Sequence, residues 1–129
     1  MLFDGGTLNF NTNTRTATIT SGAIAQTSGG NITSNATTSR ILAFGTTEGI
    51  VTAAGAFSID SRISGSGGLT KAGAGNLTFG IQAKVYTGTT TINAGTLTAG
   101  IANVLSTGAL TVNGGTYDVA TFSDSVGAV

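Results

Sequence analysis

Apolar and polar residues alternate over short stretches of the chain, most regularly in its second half. Leu77 and Phe79 flank a threonine, and Leu110 and Val112 flank another. An alternation with a period of two is typical of a β-strand that buries one of its faces. Glycines break the pattern every few residues, and no repeat contains a stretch long enough for a helix. We therefore predict short strands joined by glycine-containing turns.

The strand pattern returns with a constant period of 20 residues. GNLTFGIQAKVYTGTTTINA (75–94) is followed directly by GTLTAGIANVLSTGALTVNG (95–114). Two columns of glycine recur at corresponding places, and we predict that they are structural turn residues, because glycine takes a positive φ at little cost. The first column is Gly55, Gly75, Gly95 and Gly115, and the second is Gly68, Gly88 and Gly108.

A repeat of this length that is built from strands alone predicts a solenoid. The predicted fold is all-β: a single-stranded parallel β-helix (a β-solenoid) of about six coils, each about 20–25 residues long. In such a fold each strand pairs with its copy one coil away, at a spacing of about 4.8 Å. Residues 1–129 are predicted to form one domain, with coils over residues 6–29, 30–54, 55–74, 75–94, 95–114 and 115–129.

Stacking of the coils predicts columns of equivalent side chains. The predicted inward core stack is Leu8, Ile32, Phe57, Leu77, Leu97 and Tyr117. The neighbouring inward column contains Phe10, Ile59, Phe79 and Val119, with Ser34 and Ala99 as small members. Asn93 and Asn113 are also one period apart, and we predict that their side-chain amides form a ladder that stabilises the stack.

Composition narrows the range of functions. The 129 residues include 25 threonines and 21 glycines but no histidine, cysteine, proline or tryptophan. Histidine-based triads, thiol nucleophiles and ordinary zinc sites are therefore excluded. The net charge is zero and the five basic residues are scattered, so neither a nucleic-acid surface nor a polybasic membrane contact is expected. No apolar run approaches the roughly 20 residues of a membrane-spanning helix.

The carboxylates do not form a recognisable catalytic pair. Asp60 and Asp118 fall on one face in the predicted fold, but three coils separate them, which corresponds to about 14 Å. A glycosidase pair requires a shorter separation than this. We therefore expect a protein that is not an enzyme, with no catalytic residues, no cofactor and no metal site.

Residues 65–100 resemble the autotransporter-associated β-strand repeat of bacterial passenger domains. The runs GLTKAGAGNLTF and YTGTTTINAGTL carry the resemblance, and GALTVNGGTYDV (108–119) echoes it. The short Gly-x-Asn-x-Tyr link of that family is replaced here by GIQAKVY, which is longer and lacks the asparagine. The resemblance implies a right-handed β-helix that is exported to the cell surface or beyond as part of a stalk or adhesin.

Neither end of the chain shows a polar cap, since it begins MLFDGG and ends SVGAV. Open ends of a β-helix present unpaired strands. We therefore expect that its partners are further copies of itself, stacked end to end into a fibre, or flanking repeats of a longer chain. The first functional hypothesis is a structural or adhesive protein of the bacterial cell surface or the extracellular space.

The alternative hypothesis is a solenoid that binds carbohydrate or another surface ligand. Tyr86 is the aromatic candidate for stacking against a sugar, although a buried role for it is favoured. Ice binding is less favoured, because among the pairs flanking the first apolar column only Thr96 and Thr98 form a complete Thr-x-Thr pair.

Overall fold

A computed structural model describes residues 1–10, 15–34 and 40–129. The predicted coils over 6–29 and 30–54 therefore include the segments 11–14 and 35–39, which lie outside the described residues. The described part contains strands, turns and irregular segments, without a helix. Its strands are β1 (Leu2–Asp4), β2 (Thr7–Phe10), β3 (Arg15–Thr18), β4 (Ala23–Ser28), β5 (Asn31–Ser34), β6 (Arg40–Ala43), β7 (Gly49–Ala53), β8 (Phe57–Ile59), β9 (Arg62–Ser64), β10 (Leu69–Ala72), β11 (Asn76–Phe79), β12 (Thr90–Ile92), β13 (Thr96–Ala99), β14 (Leu110–Val112) and β15 (Thr116–Asp118).

The strands form three parallel sheets, and successive coils contribute successive strands to each sheet. The first sheet has the order β1-β4-β7-β10-β12-β14, and the second has the order β2-β5-β8-β11-β13-β15. The third sheet is shorter, with the order β3-β6-β9. In each sheet the neighbouring strands are parallel and are never consecutive in sequence. A coiling chain produces this arrangement, so the predicted parallel β-solenoid is confirmed.

The solenoid makes about five turns, close to the six that the repeat predicts. The difference arises in the last block, 115–129. It contributes the single strand β15, after which residues 119–129 form turns and irregular backbone.

The strand register follows the 20-residue period through the second half of the chain. Leu77 lies opposite Phe57 on one side and Leu97 on the other, and Leu97 in turn lies opposite Tyr117. Leu8 likewise lies opposite Ile32 at the start of the same sheet. These residues point inward and, apart from the partly buried Leu8 and Tyr117, they are fully enclosed.

The predicted core stack is wrong at one step, between Ile32 and Phe57. Ile32 lies opposite Ile59, so the register there is shifted by two residues from the predicted alignment. A shift of two keeps every side chain on its own face of the sheet, because the side-chain period is two. The shift places Gly30 beside Phe57, and the Phe57 ring packs against Phe3 with 5.3 Å between the ring centroids.

The neighbouring column is wrong at two places, because the same shift places Ile32, not Ser34, opposite Ile59, and because its last member does not join it. Phe10 lies opposite Ser34, and Ile59, Phe79 and Ala99 lie side by side as predicted. Val119 is exposed, because β15 ends at Asp118 and the chain turns away through the positive φ of Ala120.

Candidate functional site

The predicted turn glycines occupy the corners of the coils, but positive φ explains only one of them. Gly95 has a φ of +68°, whereas the other predicted glycines do not have a left-handed φ. At five of those six a Cβ atom would overlap the neighbouring coil, mostly its backbone, so close stacking requires glycine there; they are Gly68, Gly75, Gly88, Gly108 and Gly115. A Cβ at Gly55 would make only ordinary contacts.

Asn93 and Asn113 lie one coil apart, each directly after a strand of the first sheet. The Asn113 Nδ2 donates to the Asn93 Oδ1 at 2.9 Å, and both side chains are exposed. The pair therefore forms one rung of the predicted amide ladder. An exposed hydrogen bond of this kind contributes little net stability, because water competes for both groups.

Two buried lysines, Lys71 and Lys84, hold corners of the coils together. Neither was identified from the sequence as a functional or structural residue. The Lys84 ammonium donates to the carbonyl oxygens of Ile59, Ser61 and Gln82 at 2.7–3.0 Å. It also lies 5.0 Å from the centre of the Phe79 ring. Lysine has three donors and no acceptor, so three carbonyls satisfy it completely.

Lys71 does the same at another corner. Its ammonium donates to the carbonyls of Ala72 and Gly73, and to that of Ala94 one coil further on. Burial lowers the pKa of Lys71. The alternating pattern could have pointed to Lys71, because it falls two residues after Leu69 on the inward face of β10. It could not have pointed to Lys84, because the apolar residues Ala83 and Val85 flank it and predict that it faces outward.

Burial also changes the ionisation of the Lys84 region. It lowers the pKa of Lys84 to about 7, and the nearby Asp60 carboxylate opposes part of that change. Burial raises the pKa of Asp60, with Lys84 acting in the opposite direction. Asp60 follows β8 and Asp118 ends β15, so β11 and β13 lie between them. The structure does not bring these two carboxylates together.

A cleft opens where the third sheet stops. After β9 the third side of the solenoid continues through residues 80–89 and 100–109, which contain no strand. The Val85 and Thr87 amides still donate to the carbonyls of Ile63 and Gly65, so the first of these segments stays attached to the coil before it. Between residues 84–87 and 105–108 lies a cavity of about 370 Å³.

Tyr86 borders this cleft but does not offer a free ring face. It is 3% exposed, and its hydroxyl is hydrogen-bonded to that of Thr90. Burial raises the pKa of Tyr86 to about 12. The buried role that the sequence favours for Tyr86 is therefore confirmed, and its ring, as part of the core, is not free to stack against a sugar.

A second tyrosine closes the same region from the C-terminal side. The Tyr117 hydroxyl donates to the Asp124 carboxylate, which also accepts from the Leu105 amide. Burial, followed by the adjacent Asp124, raises the pKa of Tyr117. The other carboxylate oxygen of Asp124 is enclosed without a hydrogen-bond partner.

The outward side chains of the second sheet do not form a threonine array. Ser58, Thr78, Thr98 and Asp118 lie side by side in one outward column. Thr98 donates to the Asn76 side chain in the neighbouring coil, so its hydroxyl is already engaged. The described strands of the second sheet therefore lack the uniform threonine array that ice binding would use.

The core is open at both ends of the solenoid. One inward column of the first sheet runs from Ile24 through Val51, Lys71 and Ile92 to Val112. The first four side chains are enclosed, whereas Val112 is 43% exposed because no further strand covers β14 at that position. At the opposite end an apolar hollow of about 280 Å³ is lined by Met1, Leu2, Phe3, Gly6, Thr7 and Leu8.

The chain thus belongs to the class of parallel β-solenoids. Comparison with family models, with curated proteins and with solved structures gives no match for it. In the described ranges, no group of three or more acidic residues is placed to hold a metal ion. The same part of the chain has no helix long and apolar enough to cross a membrane.

Proposed function

We propose that this chain is a non-catalytic structural segment of a bacterial protein, located at the cell surface or outside the cell as part of a stalk or adhesin. The resemblance to autotransporter repeats supports the location. The parallel solenoid supports the structural role, since its stability comes from contacts between successive coils.

We further propose that the segment lengthens through its open ends, and that the partner is a second copy of this chain. The single observation that carries this proposal is the inward column that ends at the exposed Val112. Each inner coil presents the same column to the next coil and is fully covered by it. The last coil leaves this surface partly uncovered at Val112, and the first coil presents the complementary edge.

The geometry of such pairing is head to tail. All strands are parallel, so a second copy translated along the axis would place its β1 beside β14 and its β2 beside β15. This is a heterologous interface that does not close, and it leads to a filament. The C-terminal tail covers part of this edge, since the Leu110 amide donates to the Ala128 carbonyl and the Gly127 amide to the Gly108 carbonyl, but Val112 stays 43% exposed.

Electron microscopy of the purified chain over a range of concentrations tests the proposal. The first two sheets each contain six strands, so filaments should show an axial repeat of about 29 Å per copy. Sedimentation should show a mass that rises with concentration. Isolated monomers at every concentration would overturn the proposal of self-association and leave flanking repeats as the partner.

A further inference from the structure

We propose that the cleft between residues 84–87 and 105–108 binds a neutral polyhydroxylated ring, such as one sugar residue. This site is independent of the structural role and of the coil ends. It arises from the sequence repeat itself, because Tyr86 and Ser106 occupy equivalent positions one period apart. A large inward residue followed by a small one leaves space between the two coils.

The size of the cleft fits one ring. Its volume is about 370 Å³, at the lower end of the range for small-molecule sites, which is roughly 300–1,000 Å³. The coil segments that form its two walls are joined at one side by the bond from the Lys84 amide to the Val104 carbonyl. Val85, which is 43% exposed, supplies apolar surface, which suits the C–H face of a sugar.

The polar groups around the cleft are hydroxyls. Tyr86, Thr87, Ser106 and Thr107 all border it. Ser106 is 6% exposed, and its enclosed hydroxyl has no well-formed hydrogen bond; its one interaction is with the Tyr86 phenol, whose pKa it lowers. A buried hydroxyl with only a poorly formed hydrogen bond is unfavourable, so a ligand hydroxyl that reaches it gains a bond that water does not already supply.

The charge of the cleft selects a neutral ligand. Its one charged lining residue is Lys84, whose three donors are already used by backbone carbonyls. A phosphate, sulfate or carboxylate would therefore lose its hydration without gaining a free cation. A neutral sugar loses less and can exchange hydrogen bonds with the hydroxyls.

Binding requires a small opening of the cleft, because the Ser106 hydroxyl is enclosed in the unbound structure. The flanking Val85 and Thr107 side chains are exposed and free to move without disturbing the core. We therefore expect the affinity of the site for a single sugar to be low, so that it binds mainly glycans that are presented in many copies. End-to-end stacking would raise the avidity by multiplying the sites along the fibre.

Amide chemical shifts of the ¹⁵N-labelled chain test the proposal. Glucose, galactose and N-acetylglucosamine at up to about 50 mM serve as neutral probes, since weak sugar sites have dissociation constants in the millimolar range. Glucuronate and inorganic phosphate serve as charged probes. We expect shifts confined to residues 84–87 and 105–108 with at least one neutral sugar, and none with the charged probes. Absence of shifts with all three sugars, or shifts with the charged probes alone, would overturn the proposal.

Two variants separate this site from non-specific contact. Ser106→Ala removes a hydroxyl that has no well-formed hydrogen bond in the fold, so the fold should be retained while the affinity falls about fivefold or more. Thr111→Ala removes an exposed hydroxyl on β14 outside the cleft and should leave binding unchanged. Equal affinities of Ser106→Ala and the unmodified chain would contradict the assignment. A methyl glycoside that binds as well as the free sugar would show that the site recognises the end of a glycan chain. Loss of binding with the methyl glycoside would show that the site recognises the free sugar.

Discussion

Glycine has two distinct physical roles at the corners of this solenoid. At Gly95 the backbone is left-handed and a Cβ would also overlap the Gly75 carbonyl. At Gly75 the φ is ordinary, and only the neighbouring coil excludes a side chain. The 20-residue repeat predicted where the glycines fall, but it could not distinguish these causes, because the overlap involves atoms of another coil.

Alanine substitutions measure the two contributions separately. Gly45 has a φ of +65° and open space around it, so Gly45→Ala should cost about 1 kcal/mol for backbone strain alone. Gly95→Ala combines strain with overlap and should cost about 3 kcal/mol or more. The measurement is urea denaturation followed by circular dichroism.

Gly6→Ala is the matched control, since Gly6 has neither a left-handed φ nor a neighbouring atom within 4 Å of the added Cβ. It should change the unfolding free energy by less than about 0.5 kcal/mol. Equal losses for Gly45→Ala and Gly95→Ala would show that stacking distance is not limiting at this corner.

The buried Lys84 makes stability depend on pH. Its folded pKa of about 7 lies below the ordinary value of 10.5, so between these values the unfolded chain holds more protons than the folded chain. Stability therefore rises with pH above 7, by at most about 3 kcal/mol between pH 7 and about pH 9.5. The Lys71 pKa, which is also lowered, acts in the same direction.

Lys84→Met should reduce this rise and should also destabilise the protein, because three carbonyls lose their donor. Arg15→Met, at an exposed position, should leave the pH dependence unchanged. Urea midpoints measured from pH 7 to about pH 9.5 provide the comparison. An identical slope in Lys84→Met and the unmodified chain would exclude Lys84 as its source.

At the scale of a single strand, β7 shows that the alternation of apolar and polar residues does not always decide which side chain faces the core. Ile50 and Val51 are adjacent apolar residues, so the sequence does not say which one faces the core. The register places Val51 opposite Ile24 and Lys71, where it is fully enclosed, and leaves Ile50 41% exposed. The pairing of the strand with its two neighbours decides its orientation.

Alanine substitution of these two residues should therefore give unequal losses. Val51→Ala creates a cavity between two coils and should cost about 2 kcal/mol. Ile50→Ala removes a larger side chain but should cost less than about 1 kcal/mol, because its surface remains partly in water. Chemical denaturation of both variants checks the order, and a greater loss for Ile50→Ala would contradict the assigned register.

Register between strands was predictable where coil lengths are equal. Leu77, Leu97 and Tyr117 follow from a constant period, and they lie opposite one another as predicted. Ile32 and Phe57 are separated by a longer coil, and alignment of the recurring glycines placed them together incorrectly. A shift of two residues preserves the inward face, so the polar and apolar pattern contains no information that distinguishes the two registers.

At the scale of the whole molecule, the proposed end-to-end pairing uses the inward surface of the last coil and not the outer faces of the sheets. A charge placed on a covered pairing surface must be desolvated, whereas a charge on the outer face of a sheet remains in water. Val112 lies on the inward column at the end, and Ile50 lies on the outward face in the middle. The two residues have almost equal exposure, 43% and 41%.

Val112→Lys should therefore prevent end-to-end association, while Ile50→Lys should leave it intact. The readout is the concentration at which half of the chain is in assemblies, measured by sedimentation. We expect an increase of at least about tenfold for Val112→Lys, which corresponds to 1.4 kcal/mol. Similar effects of the two substitutions would indicate lateral contact between solenoids instead of axial pairing.

The sequence by itself determined the period, the strand content and the parallel solenoid, because these depend on which residues recur and how far apart they lie. It also determined that histidine and cysteine chemistry is absent. Only the tertiary structure decided the two-residue register shift, the burial of Tyr86 and the two lysine-bound corners. The cleft between residues 84–87 and 105–108 likewise became visible only in the tertiary structure. Each of these depends on contacts between residues about 20 or more positions apart, where the fit of one coil on the next overrides the local pattern.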